Sequence, residues 1–274
     1  MRGRCRTSRN MDYRNIGKSD LRVSVVGLGG NVFGAPRLDE AASRANILRA
    51  RELGINFIDT ASMYNDGQSE TFVGAALKGS RNDFVVATKF HFFGLKAGDS
   101  VEQSIRQQVD ASLQRLQMAH IDLLQIHFPA SHVAPEEIMA ALNGLIEAGK
   151  VRYIGQCNYA SWRQLQADEI ARQNGWAPFV SAQNQFSLLS RQVEQELLPF
   201  CAAYDVEFLP YFPLAGGFLT GKYKPGEAPP ASSRGAADSP VIRTKRTQRN
   251  EAILAELTTY AADHGHTVLA LAFA

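Results

Sequence analysis

The chain has 274 residues, 45% of them hydrophobic, which suits one large buried core and sits a little above the ~250 residues typical of a single (β/α)8 barrel. Its formal charge of +2 is concentrated in the first ten residues, where Arg2, Arg4, Arg6 and Arg9 stand without an acid, so nothing in the remainder argues for a nucleic-acid surface. No apolar run approaches the ~20 residues of a membrane span, and Cys5, Cys157 and Cys201 show neither paired nor metal-type spacing, which fits a reducing, cytoplasmic setting.

The Arg-rich leader, residues 1 to 10, lacks an apolar stretch and so is no secretory signal. It reads as a disordered extension, or as a start placed upstream of Met11. Residues 13 to 23 then read as a small hairpin with a polar turn, a device that plugs the bottom of a barrel. Strands are expected at 23 to 28, 55 to 59, 84 to 89, 121 to 126, 152 to 156, 179 to 183 and 206 to 211. Helices are expected between them, near 39 to 53, 70 to 78, 101 to 116, 135 to 148, 161 to 173 and 190 to 203.

Local signals support these elements. Ser100 and Gln103 form a capping box, and Val101, Ile105, Val109, Leu113 and Leu116 keep a helical stripe. Pro135 suits a first helical turn, and Gly54, Gly149 and Gly175 are placed to end helices. Helices and strands alternating through short links imply a parallel sheet. Residues 214 to 247, rich in Gly, Pro, Ala and Ser, make a link much longer than usual and are expected to be functional or mobile. Helical patterns close the chain at 248 to 263 and 267 to 274. The expected fold is therefore α/β, a (β/α)8 TIM barrel with an N-terminal β-hairpin. Its eighth strand and final helix are missing from the pattern, so residues 11–274 read as one incomplete, C-terminally truncated barrel domain.

Asp59, Tyr64, Lys89, His127 and Asn158 each stand at or just past the end of an apolar run. Polar groups leaving the same end of successive buried strands are the layout of a barrel's active face. A tyrosine donates a proton efficiently when its pKa of ~10 is brought toward working pH, and a nearby ammonium does this by favouring phenolate. Lys89 is placed to be that ammonium, Asp59 to balance its charge, and His127 to orient a substrate oxygen. Singly, each has a plainer reading: a turn cap for Asp59, a surface lysine, a core histidine, a packing tyrosine. The clustering at one end of three consecutive strands favours the site. Phe33, Phe90, Phe92, Phe93 and Phe128 suggest a partly apolar pocket, or core packing.

The words around these residues carry a family resemblance. Asp59-Thr60-Ala61-Ser62-Met63-Tyr64-Asn65-Asp66-Gly67-Gln68-Ser69-Glu70 resembles the D-T-A-x-x-Y-x-x-G-x-S-E signature of the aldo-keto reductase superfamily. Val86-Ala87-Thr88-Lys89 resembles its lysine strand, Asp122-Leu123-Leu124-Gln125-Ile126-His127-Phe128-Pro129 its histidine strand, and Gly149-Lys150-Val151-Arg152-Tyr153-Ile154-Gly155-Gln156-Cys157-Asn158-Tyr159 its G-K-V-R-Y-I-G-x-S-N-F stretch. The likeness runs from about Tyr13 to the last residue.

The resemblance implies reduction of an aldehyde or ketone by NADPH, with NADH as an alternative, or the reverse alcohol oxidation. It makes Asp59, Tyr64, Lys89 and His127 the catalytic tetrad with Tyr64 as general acid. Asn158 and Gln183 match residues that hydrogen-bond the nicotinamide carboxamide, and Tyr211 matches the aromatic stacked on its ring. Leu214, Gly217, Leu219 and Lys222 fall in the segment that closes over the pyrophosphate, where backbone amides and a lysine suit a diphosphate. Gly27, Gly29, Gly30 and Gly34 fail the G-x-G-x-x-G spacing; they read as a tight turn or as a place where backbone meets the cofactor, Gly29 included.

Three positions depart from the pattern: Cys157 for Ser, Phe212 for a common Ser, and Ala130 for Asp. A small-molecule carbonyl is the implied partner, with no nucleic acid and no membrane. The superfamily also includes potassium-channel beta subunits, which gives a nucleotide-binding regulatory protein as a second reading. The absent eighth strand gives an inactive truncated fragment as a third.

Overall fold

The computed structural model describes residues 11–96, 98–224, 226–231, 233–237 and 239–274. The Arg-rich leader, with its expected disorder and Cys5, lies outside the described residues. The chain opens with an antiparallel hairpin, β1 (Tyr13–Asn15) and β2 (Arg22–Ser24). The parallel alternation follows: β3 (Gly27–Gly29), α1 (Glu40–Glu52), β4 (Phe57–Asp59), α2 (Gln68–Leu77), β5 (Val85–Phe90), α3 (Val101–Leu116), β6 (Ile121–Ile126), α4 (Pro135–Glu147) and β7 (Val151–Cys157). It continues with α5 (Ser161–Asn174), β8 (Ser181–Gln185), α6 (Leu197–Tyr204), β9 (Glu207–Tyr211), α7 (Pro240–Arg243), α8 (Gln248–Asp263) and α9 (Val268–Phe273). Strands β3 to β9 form one sheet in sequential order, the arrangement of an incomplete (β/α)8 barrel.

Several element limits shift by one or two residues, β4 starting at Phe57 and α2 at Gln68 among them, and at three places a local bond accounts for the difference. The strand expected at 23 to 28 is split, because the Ser24 hydroxyl donates to the Val26 carbonyl and its amide to Asn56, turning the chain between hairpin and sheet. Strand β8 begins two residues late, after Phe179 has given its amide to Asp168. Helix α6 is shorter than 190 to 203, since Ser187 and Ser190 exchange backbone bonds and Arg191 clasps Glu194 across a short 3-10 turn.

Two compact units divide the chain: one holds the described residues through Ala182 with Cys201–Glu207, the other Gln183–Phe200 with Phe208–Ala274. In the first, side chains alternate across the strands. Val86, Leu124, Ile126 and Ile154 pack outward against Ile47, Val73, Ile105, Leu142 and Ile170 of the helices. Polar residues on that outward face are also bonded: Thr88 donates to Glu70 of α2 at 2.5 Å, and Gln156 to Gln164 of α5 at 2.8 Å. Ala87, Lys89, Leu123 and Gln125 take the opposite register. The hairpin covers the strand beginnings, as expected. A Cβ on Gly17 would lie 2.5 Å from the Val180 carbonyl, Asp20 pairs with Arg152, and Asn56 reaches back to Arg22.

The second unit has its own apolar cluster of Ala215, Phe218, Leu219, Tyr223, Ile242, Leu254 and Val268. The long link over 214 to 247 thus contributes Ala215, Phe218, Leu219, Tyr223 and Ile242 to an apolar cluster. Ala215–Thr220 forms a short 3-10 segment interrupted at Gly216 and Gly217, and α7 follows.

Candidate active site

Asp59 ends β4, Lys89 stands near the end of β5, and His127 follows β6, so three adjacent strands deliver their polar residues to one level. Register pairs Gly29 with Asp59 and Lys89 with Gln125. Tyr64 comes from the turn after β4, where its amide donates to Ala61 and where Asn65 and Asp66 both take positive φ.

Lys89 is fully buried, and its ammonium donates to Asp59 Oδ2 at 2.5 Å, to the Thr60 carbonyl at 2.9 Å and to the Tyr64 hydroxyl at 3.5 Å. Burial by itself disfavours the ammonium, but the Asp59 carboxylate and the Tyr64 phenol more than offset it, and the Lys89 pKa ends above its ordinary value. Tyr64 behaves differently from the sequence expectation. Burial raises its pKa, and the Lys89 charge pulls it back without overcoming burial, so the phenol stays protonated at neutral pH. A protonated phenol is the form a general acid needs.

His127 stands edge-on to Tyr64, with ring centroids 5.6 Å apart. Burial first, then the Lys89 charge, then His91, push its pKa down to about 3, so the ring is neutral. Its Nδ1 is buried and has no hydrogen-bond partner among the described residues. Phe128 stacks on the same ring at 4.3 Å, Phe93 stacks on Phe128 at 5.2 Å, and Phe93 is 61% exposed. Of the five aromatics expected near a pocket, Phe33, Phe90 and Phe92 instead belong to the apolar core between sheet and helices.

Asn158 follows β7 in a left-handed conformation, φ 63°, and its Nδ2 donates to the His127 carbonyl at 3.0 Å. Gly29, at the exposed end of β3, has open space where a Cβ would stand; Gly30 does not, since a Cβ there would lie 2.8 Å from Ser69 Oγ.

The remaining candidates belong to the second unit. Gln183 is buried within β8, and Tyr211 ends β9, its carbonyl accepting from the Phe186 amide. The Leu214 carbonyl accepts from the amides of Gly217 and Leu219 at 2.8 and 3.1 Å, and Ala215, Gly216 and Gly217 are consecutive positive-φ residues. The Leu219 side chain is fully buried. Lys222 is exposed and lies over the Tyr223 ring at 5.3 Å.

Sequence reasoning passed over two buried groups. Gln125 donates to Asp59 Oδ1 at 2.9 Å; the signal was an amide at inward register two residues before His127 in a mostly apolar run. Glu70 is fully buried and held by Arg115 Nε at 2.7 Å as well as by Thr88. Ser69 donates to the Gly30 carbonyl at 2.8 Å, so the Ser-Glu pair of the signature ties helix to strands. Among the described residues no group of His, Cys, Asp and Glu is arranged to hold a metal ion, and no helix is long and apolar enough to cross a membrane.

Known proteins resemble the chain along its sequence. The chain is 34% identical over 292 residues to versiconal hemiacetal acetate reductase of Aspergillus parasiticus, covering 96% of this chain and 84% of that protein. It is 37% identical over 221 residues to aflatoxin B1 aldehyde reductase member 2 of Rattus norvegicus, covering 79% of this chain but 59% of the rat protein. A probable voltage-gated potassium channel subunit beta of Oryza sativa is 33% identical over 235 residues, covering 84% of this chain and 71% of the rice protein. The model of the Aldo/keto reductase family matches residues 25–274, a span that includes every candidate residue named above. With the family's strand order and its sequence words both present, the chain belongs to the aldo/keto reductase family.

Proposed function

We propose that the barrel domain of residues 11–274 uses NADPH, or NADH in its place, to reduce an aldehyde or ketone, with Tyr64 as general acid. The observation that carries this reading is the buried ammonium of Lys89 bridging Asp59 and the Tyr64 hydroxyl. A nicotinamide dinucleotide suits the residues present: a strand end open at Gly29 and an amide side chain at Asn158 in one unit. The other unit offers the amide of Gln183, the ring of Tyr211, the backbone turn from Leu214 through Gly217 to Leu219, and the exposed charge of Lys222.

The cofactor, when bound, supplies the hydride to the carbonyl carbon. Tyr64 gives its hydroxyl proton to the substrate oxygen as the C=O π bond breaks. Lys89 then stabilises the phenolate left behind, and Asp59 holds Lys89 in place. His127, neutral, orients the substrate oxygen by hydrogen bonding. Alcohol oxidation runs through the same groups in reverse.

Purified full-length chain incubated with NADPH and a panel of aldehydes and ketones tests the reading through loss of NADPH absorbance. Substrate-dependent oxidation is expected; none with any carbonyl and either cofactor contradicts it. The rice relative favours a second reading, a nucleotide-binding protein that acts on a partner. A stoichiometric partner retained by the chain alongside negligible turnover would establish that reading instead.

A further inference from the structure

We infer that Gln125 is a positioning residue of the proton-donating centre: its amide, oriented by the Cys157 thiol, holds Asp59 so that the second carboxylate oxygen faces Lys89. The inference rests on the reading of Tyr64 and Lys89 given above. Gln125 is fully buried, and a buried primary amide costs free energy unless both its ends are bonded.

Both ends are bonded. Nε2 donates to Asp59 Oδ1 at 2.9 Å, and the Cys157 Sγ lies 3.8 Å from Oε1. The orientation of the amide follows from chemistry. An ionised carboxylate only accepts, so the NH2 end must face Asp59 and the carbonyl end must face Cys157. Cys157 must then be a donor, and burial, which pushes its pKa up, keeps it a thiol.

The strands supply the space. Register sets Gln125 between Lys89 on β5 and Gly155 on β7. A Cβ on Gly155 would collide with Ser181 Oγ and would meet Gln125 Cγ at 3.4 Å, an ordinary contact, so the glycine lets β7 lie against Ser181 while the Gln125 side chain packs beside it. Asp59 is thereby held at both oxygens, by Gln125 at Oδ1 and by Lys89 at Oδ2. Losing the Gln125 bond removes one of the contacts that set the carboxylate plane, and with it part of what fixes Oδ2 against the Lys89 ammonium.

Gln125→Met tests this, because methionine matches the volume but cannot donate a hydrogen bond. If Gln125 merely fills space, the exchange of the Lys89 ammonium protons stays as it was. In full-length chain labelled with 15N-lysine, the Lys89 resonance is assigned by its loss in Lys89→Met. We expect its ammonium protons to exchange at least about tenfold faster in Gln125→Met, and faster by a smaller factor in Cys157→Ala, with Cys157→Ser close to the wild-type chain. In NADPH-driven reduction of an aromatic aldehyde, kcat should fall roughly ten- to a hundredfold in Gln125→Met with the KM for NADPH unchanged. Unchanged ammonium exchange in Gln125→Met overturns the proposal; should that variant fail to fold, unchanged exchange in Cys157→Ala does so. Faster exchange in a chain whose wild type has no turnover supports the positioning role and overturns the reductase reading.

Discussion

Lys89 and Asp59 meet at 2.5 Å, the lysine with no exposed side-chain surface and the aspartate with 18%. A buried ammonium persists only with such a partner, because removing one member leaves an uncompensated charge. Lys89→Met is therefore expected to destabilise the chain by about 3–5 kcal/mol in urea unfolding. Asp59→Asn should cost a comparable amount. The double variant Lys89→Met with Asp59→Asn should cost clearly less than the sum of the two, since neither charge is then stranded.

Glu70 makes a parallel case outside the reacting centre. It is fully buried and satisfied by Arg115 and Thr88, so Glu70→Ala takes its buried partner from the 30%-exposed Arg115 side chain, leaves the Thr88 hydroxyl without its acceptor and opens a void beside β5. A loss of about 3–5 kcal/mol is expected in the same unfolding measurement.

Stability should fall toward acid pH through His127. Its folded pKa of about 3 lies below its ordinary 6.5, so between those values the unfolded chain binds a proton that the folded chain refuses. His127's contribution is complete above pH 6.5 and is lost as pH falls toward 3. His127→Gln should flatten that part of the stability profile. At the alkaline end the sign reverses. Tyr64 and Lys89 have folded values above their ordinary 10.0 and 10.5, so their contribution is present below pH 10 and is lost as pH rises beyond it.

NADPH should raise the thermal midpoint of the chain, by mass action equivalent to about 2.7 kcal/mol at a hundredfold excess over Kd. If Lys222 holds the cofactor diphosphate as proposed, Lys222→Ala should weaken NADPH binding roughly tenfold or more. Isothermal titration of both chains checks this, and equal affinities would remove Lys222 from the cofactor contacts.

Much of this was legible in the sequence, for identifiable reasons. Helix α3 and strand β6 fell at their expected limits because Ser100 caps one and an unbroken buried run defines the other. The level shared by Asp59, Lys89 and His127 followed from apolar runs ending in polar residues. The Tyr64 pKa was not legible, because the sequence names the neighbouring ammonium but not the burial that outweighs it. Gln125 and Glu70 escaped notice because their partners, Asp59 and Arg115, are 66 and 45 residues away along the chain. Residues 214 to 247 read as one loop because glycine and proline mask the apolar contacts of Phe218, Leu219 and Ile242.

The most direct test of the central claim compares wild type with Tyr64→Phe in NADPH-dependent carbonyl reduction and in NADPH binding. The account predicts that kcat falls by roughly 10²- to 10⁴-fold while the Kd for NADPH and the thermal midpoint change little. A Tyr64→Phe chain that reduces the carbonyl as fast as wild type would contradict it.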